Sequence, residues 1–309
     1  MHVHFVRRRR WLRIFSITVF GTAVIGCASN AVLDRDDGIQ STKNPEIIER
    51  GRHLAYGPAH CASCHGDPDH LDELRAGREI PLSGGRVFEL GPLGSMVAPN
   101  ITSDPATGIG ARTDEDLVRH LRYGISADGR ALAPLMPFQD LTDEDLQAII
   151  SFLRTLPPVR NDVKHRLNLV GRLTVEHLLR PVQPEKKPAA ALAAVPTAEY
   201  GRYLAHTVAN CAGCHTKRSK LTGAMVGEPF AGGMVLTEGG KRFVAPDITA
   251  ADSGILHGLS ERQFLARFRA RAAAPTGSPM PWEAFSSMTD EELRAIYAYL
   301  SNFRNEPSG

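Results

Sequence analysis

The sequence predicts an all-α protein: two tandem copies of one small domain, packed together or linked by a Pro-rich connection. Three observations carry this. The chain has 309 residues, about two domains at roughly 150 residues each. The same short motifs recur in the same order in both halves. Each half also holds apolar residues at helical spacing behind capping-box patterns.

Taken in chain order, residues 1–26 are a signal segment. Arg7 to Arg10 and Arg13 form a basic start, and Ile14 to Gly26 run mostly apolar, too short for the ~20 residues of a comfortable membrane span. Val24-Ile25-Gly26-Cys27 resembles a bacterial lipobox, which makes Cys27 the lipidated first residue of the mature chain. An uncleaved N-terminal anchor, a twin-arginine leader and a soluble periplasmic product are the alternatives. Residues 27–44 form a polar tether. Residues 45–160 are domain 1, 161–195 a linker with helical potential between Asn161 and Leu179, and 196–309 domain 2.

Inside the domains the repeats align closely. Gly51-Arg52-His53-Leu54-Ala55 matches Gly201-Arg202-Tyr203-Leu204-Ala205. Val97-Ala98-Pro99-Asn100-Ile101-Thr102 matches Val244-Ala245-Pro246-Asp247-Ile248-Thr249, and Leu135-Met136-Pro137-Phe138 matches Pro279-Met280-Pro281-Trp282. Thr113 with Asp116, Thr142 with Asp145, Ser260 with Gln263 and Thr289 with Glu292 mark helix starts. Leu146, Ile149, Ile150 and Leu153 make one apolar stripe; Leu293, Ile296, Tyr297 and Leu300 make its counterpart. The Gly- and Pro-rich stretches Pro81 to Pro99 and Gly223 to Pro246 read as loops.

Each domain carries one C-x-x-C-H: Cys61-Ala62-Ser63-Cys64-His65 and Cys211-Ala212-Gly213-Cys214-His215. That spacing attaches c-type haem. Two thiols three residues apart reach two vinyl groups of one macrocycle, and the next histidine falls under the iron as proximal ligand. A thioredoxin-like dithiol has no need of the histidine, and no further cysteine pairs exist to complete two zinc sites. Two haems are therefore expected, on Cys61, Cys64 and His65 and on Cys211, Cys214 and His215. The five cysteines are used up by two haems and one lipid.

The sixth iron position calls for a second ligand. Methionine sulfur is common in electron-transfer cytochromes and raises the potential. Of seven methionines, Met136 and Met280 occupy repeat-equivalent loop positions, each before a proline that stiffens the loop. They are the expected sulfur ligands; core filling is the competing role. His120 and His257 are not repeat-equivalent and read as surface or packing residues.

The formal charge is +2, but five basic residues and no acidic ones precede Cys27. The remainder holds 31 basic and 34 acidic residues, a net of −3, and nucleic-acid binding finds no support.

Asn100 to Gly110, Thr113-Asp114-Glu115-Asp116-Leu117, Gly124, Asp128-Gly129, Met136-Pro137 and Ser151-Phe152-Leu153-Arg154-Thr155-Leu156-Pro157-Pro158-Val159 together resemble the cytochrome c subunits of membrane-bound bacterial alcohol and gluconate dehydrogenases. The similarity spans most of residues 46–160 and, more loosely, 197–304. It implies cytochrome c-type domains, His65 and His215 as proximal and Met136 and Met280 as distal ligands. It also implies electron flow from a periplasmic dehydrogenase to quinone, an oxidase or a soluble cytochrome. The best-known subunits carry three haems and a C-terminal anchor, whereas two haem motifs are present here. A lipid on Cys27 would hold the protein on the periplasmic side of a membrane. The expectation is thus an electron relay with redox partner proteins and no catalytic residues. A dihaem peroxidase or thiosulfate dehydrogenase is the competing enzyme reading. The first needs an open axial site, and the second is expected to use a cysteine ligand that is not available.

Overall fold

The computed structural model describes residues 38–132, 136–177, 179, 181–182, 184, 192–219, 224–238, 240–270 and 277–303. The signal segment and Cys27 lie outside them, as do Leu135 and half of the Pro-rich stretch 181–196.

Domain 1 opens with α1 (Pro45–Tyr56), followed by the haem-motif helix α2 (Cys61–His65) and the short α3 (Leu71–Arg75). Strands β1 (Val87–Glu89) and β2 (Gly94–Val97) come next, then α4 (Asp114–Tyr123) and α5 (Asp143–Thr155). The connection contributes β3 (Arg166–Leu167) and α6 (Leu169–His177). Domain 2 repeats the plan with α7 (Ala198–Tyr203), continued by a π turn over Leu204–Val208, and its motif helix α8 (Cys211–His215). Then follow β4 (Val235–Glu238), β5 (Lys241–Val244), α9 (Glu261–Arg269), α10 (Trp282–Phe285) and α11 (Asp290–Asn302).

The expectation of an all-α protein needs correction. Both Gly- and Pro-rich stretches fold into antiparallel hairpins, with Val87 opposite Val97 and Val235 opposite Val244. The linker adds a third strand to the first hairpin, pairing Ser95 with Arg166. Strands this short offer at most two alternations, too few for a period of two to emerge from a sequence. The helix expected within Asn161 to Leu179 is α6.

The repeated Gly-Arg-x-Leu-Ala has a packing cause. A Cβ on Gly51 would sit 1.9 Å from the Ala148 carbonyl oxygen, and one on Gly201 1.9 Å from that of Ala295. Each glycine lets the first helix of its domain cross the last one at backbone contact, α1 over α5 and α7 over α11. The stripes Leu146, Ile149, Ile150, Leu153 and Leu293, Ile296, Leu300 are buried there. Tyr297 is half-buried and donates its hydroxyl to the Leu259 carbonyl at 2.8 Å. Each large-to-alanine change in these stripes should cost ~2–5 kcal/mol.

One hydrophobic cluster runs through both domains. At the junction the contacts are isologous in the sense of a twofold dimer. His53 and Tyr203 are repeat-equivalent, each eight residues before the first motif cysteine. The His53 Nε2 lies 2.9 Å from Glu292 of domain 2, and the Tyr203 hydroxyl donates to Asp145 of domain 1 at 2.8 Å. Asp145 and Glu292 are themselves equivalent, at the third position of α5 and α11. Arg50 spans the pair, donating to Asp145 Oδ1 at 2.9 Å and to Glu292 Oε1 at 3.2 Å.

The junction also alters a helix cap. The boxes at Thr113 and Asp116 and at Thr289 and Glu292 are complete. At Thr142 the hydroxyl still accepts from the Asp145 N–H at 3.2 Å. The Thr142 N–H, however, donates to the Tyr203 hydroxyl at 3.2 Å. A group from the other domain takes over half of the box and frees the Asp145 carboxylate for Arg50.

Candidate functional site

Each C-x-x-C-H forms a single helical turn entered from a strained residue. His60 (φ 42°) and Asn210 (φ 49°) are both left-handed, a region where His and Asn are enriched among non-glycine residues. This bend turns the chain sharply out of the domain's first helix into the motif; His65 and His215 are buried, Cys61, Cys64 and Cys211 half-buried, and Cys214 exposed.

The two histidines are held identically. His65 Nδ1 lies 2.8 Å from the Pro99 carbonyl oxygen, and His215 Nδ1 lies 2.8 Å from that of Pro246. A carbonyl only accepts, so Nδ1 carries the proton in both rings and Nε2 keeps its lone pair. That is the tautomer a metal-binding histidine requires, with its orientation fixed from outside. Burial pushes both imidazoles below the ordinary histidine range, which keeps them neutral.

The proline carbonyls are aimed by the motif around them. Asn100 Oδ1 accepts from the Thr102 N–H at 2.9 Å and its hydroxyl at 2.7 Å; Asp247 Oδ1 accepts from the Thr249 N–H at 2.8 Å and its hydroxyl at 2.7 Å. These turns account for the repeated Pro-(Asn/Asp)-Ile-Thr. Opposite the loop lies Gly84 at φ 76°, where a Cβ would meet the Pro99 carbonyl carbon at 2.5 Å. Gly232, at φ 74°, has the same relation to Pro246.

None of the four motif cysteines is paired in a disulfide. Burial pushes Cys61 and Cys211 up to about 12, so neither is a ready thiolate for redox exchange. Cys64 is raised too, by burial first and by the nearby Cys214 and Glu238, against the pull of Arg86. The first motif meets domain 2 at this point. Arg86 is fixed there, donating to the Ser63 carbonyl and, at 2.9 Å, to Glu238 on β4. In domain 2, Arg218 Nε donates to the Gly213 carbonyl at 3.1 Å, and Gly213 is the equivalent of Ser63.

Met136 and Met280 each pack, half-buried, against the shared hydrophobic cluster. Gln139 holds the Met136 carbonyl at 3.1 Å, and Ser278 accepts from the Met280 N–H at 3.3 Å. His120 is turned back to the Asp116 carbonyl on its own helix, and His257 is exposed beside Asp252.

The residues present suit a covalent haem. Ring tautomers are set for metal, and two buried polar atoms, Ser63 Oγ and Trp282 Nε1, have no hydrogen-bond partner among the described residues. Trp282 Nε1 is a donor only and follows Met280 by two positions. A cofactor bearing carboxylates would supply the acceptor it lacks.

Sequence reasoning missed the carbonyls of Pro99 and Pro246, Arg86 with Glu238, and the Arg50 network. The first was signalled by the repeated Val-Ala-Pro motif. The others pair residues far apart in sequence and leave no local trace.

The chain belongs to the cytochrome c family, whose model matches residues 48–157 and 198–304. Among curated proteins it is similar to a nicotinate dehydrogenase subunit of Pseudomonas putida, 30% identical over 84% of this chain and 22% of that protein. It is similar to the fructose dehydrogenase cytochrome subunit of Gluconobacter japonicus, 27% identical over 94% of this chain and 60% of the other. A diheme cytochrome c-type protein of Cereibacter sphaeroides is 33% identical over 78% of this chain and 80% of its own length. The first two relatives are much longer, and the chain spans about a fifth and three fifths of them. Two cytochrome c domains and the dihaem relative mean that the chain carries two covalent haem c groups and serves electron transfer.

Proposed function

We propose that this protein is a membrane-tethered dihaem relay. It takes single electrons from a periplasmic dehydrogenase and passes them to an acceptor of the respiratory chain: quinone, an oxidase or a soluble cytochrome. In this reading Cys61, Cys64, Cys211 and Cys214 hold the haems. His65 and His215 are the proximal ligands, and Met136 and Met280 the distal ones. Residues 45–160 and 196–309 are the two haem domains, joined by 161–195. The bound haem iron supplies one-electron redox chemistry; the chain fixes ligand orientation, excludes water and positions the two centres.

The observation that carries the reading is the contact of the first motif with domain 2, where Arg86 donates both to the Ser63 carbonyl inside the motif and to Glu238 on β4. Two centres on domains held together by this contact and by the Arg50 network make a conductor with an entry and an exit. Dehydrogenase subunits among the relatives supply the donor class. Among the described residues no helix is long and apolar enough to cross a membrane, and the tether is assigned to a lipid on Cys27. Purification of the tagged protein from its own membranes should bring a dehydrogenase with it, and the substrate of that enzyme should reduce both haems. Reduction of the haems by no copurifying enzyme, or peroxide turnover by the isolated chain, would overturn the relay.

A further inference from the structure

α6 presents an apolar face to the outside. Leu169, Val170 and Leu173 are 72%, 60% and 48% exposed. The opposite side of the helix is fastened to domain 1. Asn168 donates its side-chain amide to the Pro92 carbonyl at 2.7 Å and accepts from the Gly171 N–H at 2.9 Å. Gly171 is buried, and a Cβ there would lie 2.2 Å from the Leu93 carbonyl oxygen. At 100° per residue, Leu169 and Leu173 then point within about 20° of directly away from Gly171. Val170 lies on one flank and Arg172 on the other.

The charge around this face runs against the rest of the molecule. Residues 160–177 carry four basic residues, Arg160, Lys164, Arg166 and Arg172, all exposed, against Asp162 and Glu176. Asp162 is engaged with Lys164 at 3.0 Å, and Arg172 turns its Nε toward the Leu167 carbonyl at 3.3 Å. The nearest carboxylate on the adjoining sheet is the exposed Glu89, in register with Ser95, which in turn pairs with Arg166. Three apolar side chains on a nine-residue helix fall well short of the ~800 Å² per partner of a stable protein interface. A lipid surface demands no such complementarity: shallow insertion of an apolar helix face with basic flanks is how interfacial helices bind anionic bilayers.

We propose that α6 is a membrane-contact element, with Leu169, Val170 and Leu173 inserting at the headgroup boundary of an anionic bilayer and Arg166 and Arg172 meeting its lipid phosphates. It would orient domain 1 against the membrane independently of any lipid on Cys27. The experiment uses the haem-loaded chain carrying Cys27→Ser and exported behind a cleavable leader, so that no acyl chain contributes. Flotation is measured with vesicles of phosphatidylglycerol and phosphatidylethanolamine, and with phosphatidylcholine alone. Binding to the anionic vesicles is expected, weakening with salt. It should fall about tenfold in Leu169→Gln/Leu173→Gln and comparably in Arg166→Glu/Arg172→Glu, with haem spectra unchanged in both. Failure of the parent to float, or flotation indifferent to both variants, overturns the proposal. So does a pair of variants that leave flotation intact and instead slow reduction by the copurifying dehydrogenase, which would assign the face to a protein partner.

Discussion

Replacing Arg50 with leucine should loosen the two domains from each other while leaving each haem site intact. Arg50 makes two bonds to Asp145, at 2.9 and 3.2 Å, one to Glu292 at 3.2 Å and one to the Tyr200 hydroxyl at 3.4 Å. The side chains of Asp145 and Glu292 are 11% and 2% exposed, that of Arg50 29%. Removing one partner of a buried pair costs about 3–5 kcal/mol, because the remaining charge is stranded; an exposed pair is worth under ~1. The partial exposure of Arg50 places the loss near 3 kcal/mol, about two decades in the ratio of docked to undocked domains. The pH dependence has a definite sign. Burial pushes the Glu292 carboxyl up, but hydrogen bonding and charge from His53, the Thr289 N–H and Arg50 outweigh it and hold the pKa below the ordinary value. A depressed carboxylate stabilises the fold above its unfolded pKa of ~4.3 and loses that contribution as pH falls through the folded value. The gap between parent and variant should thus be full at pH 7 and narrow below about pH 4. Urea unfolding of the haem-loaded protein, followed by far-UV and Soret circular dichroism, measures it. The variant should unfold earlier, with the two domains no longer coincident. An unchanged midpoint at pH 7, or a gap that widens in acid, would refute the reasoning.

Met136→Ala and Met280→Ala should each weaken the sulfur-to-iron charge-transfer band in the near infrared and lower the potential of one haem; an intact band in both variants removes methionine from the ligand set. Trp282→Phe installs the side chain that domain 1 carries at Phe138. It should shift one of the two redox waves and leave the other in place, and a shift in both waves or in neither contradicts a haem-held acceptor for Trp282 Nε1. Cys27→Ser should abolish labelled-palmitate uptake, and retained label argues against lipidation there. Lys217→Glu, at an exposed position three residues after Cys214, should slow exchange with one redox partner only, and mainly at low salt; equal slowing with donor and acceptor returns this charge to plain surface.

The domain repeat, the helix starts and the two motifs are legible because each is local. A capping box spans four residues, C-x-x-C-H spans five, and the duplication prints every signal twice. The hairpins are not legible: Val87 to Glu89 and Val235 to Glu238 are too short for alternation to stand out. The pair of glycines at 239 and 240 between β4 and β5 is the one usable hairpin cue, and it merges into a Gly-rich loop. The domain junction is invisible for a different reason. Arg50, Asp145, Tyr203 and Glu292 are joined only by folding; the sequence marks Asp145 and Glu292 as helix-cap partners and gives no sign of what they bind across the junction. Arg218 shows the same limit in reverse: beside Lys217 it reads as surface charge, yet it turns inward to the Gly213 carbonyl.

The most direct test of a two-haem chain with one attachment site per domain is intact mass after acid-acetone extraction, which strips haem that is not covalently held. The parent should retain two haems, and Cys61→Ala/Cys64→Ala and Cys211→Ala/Cys214→Ala one each. A parent that retains one haem or none, or a double variant that still retains two, would contradict it.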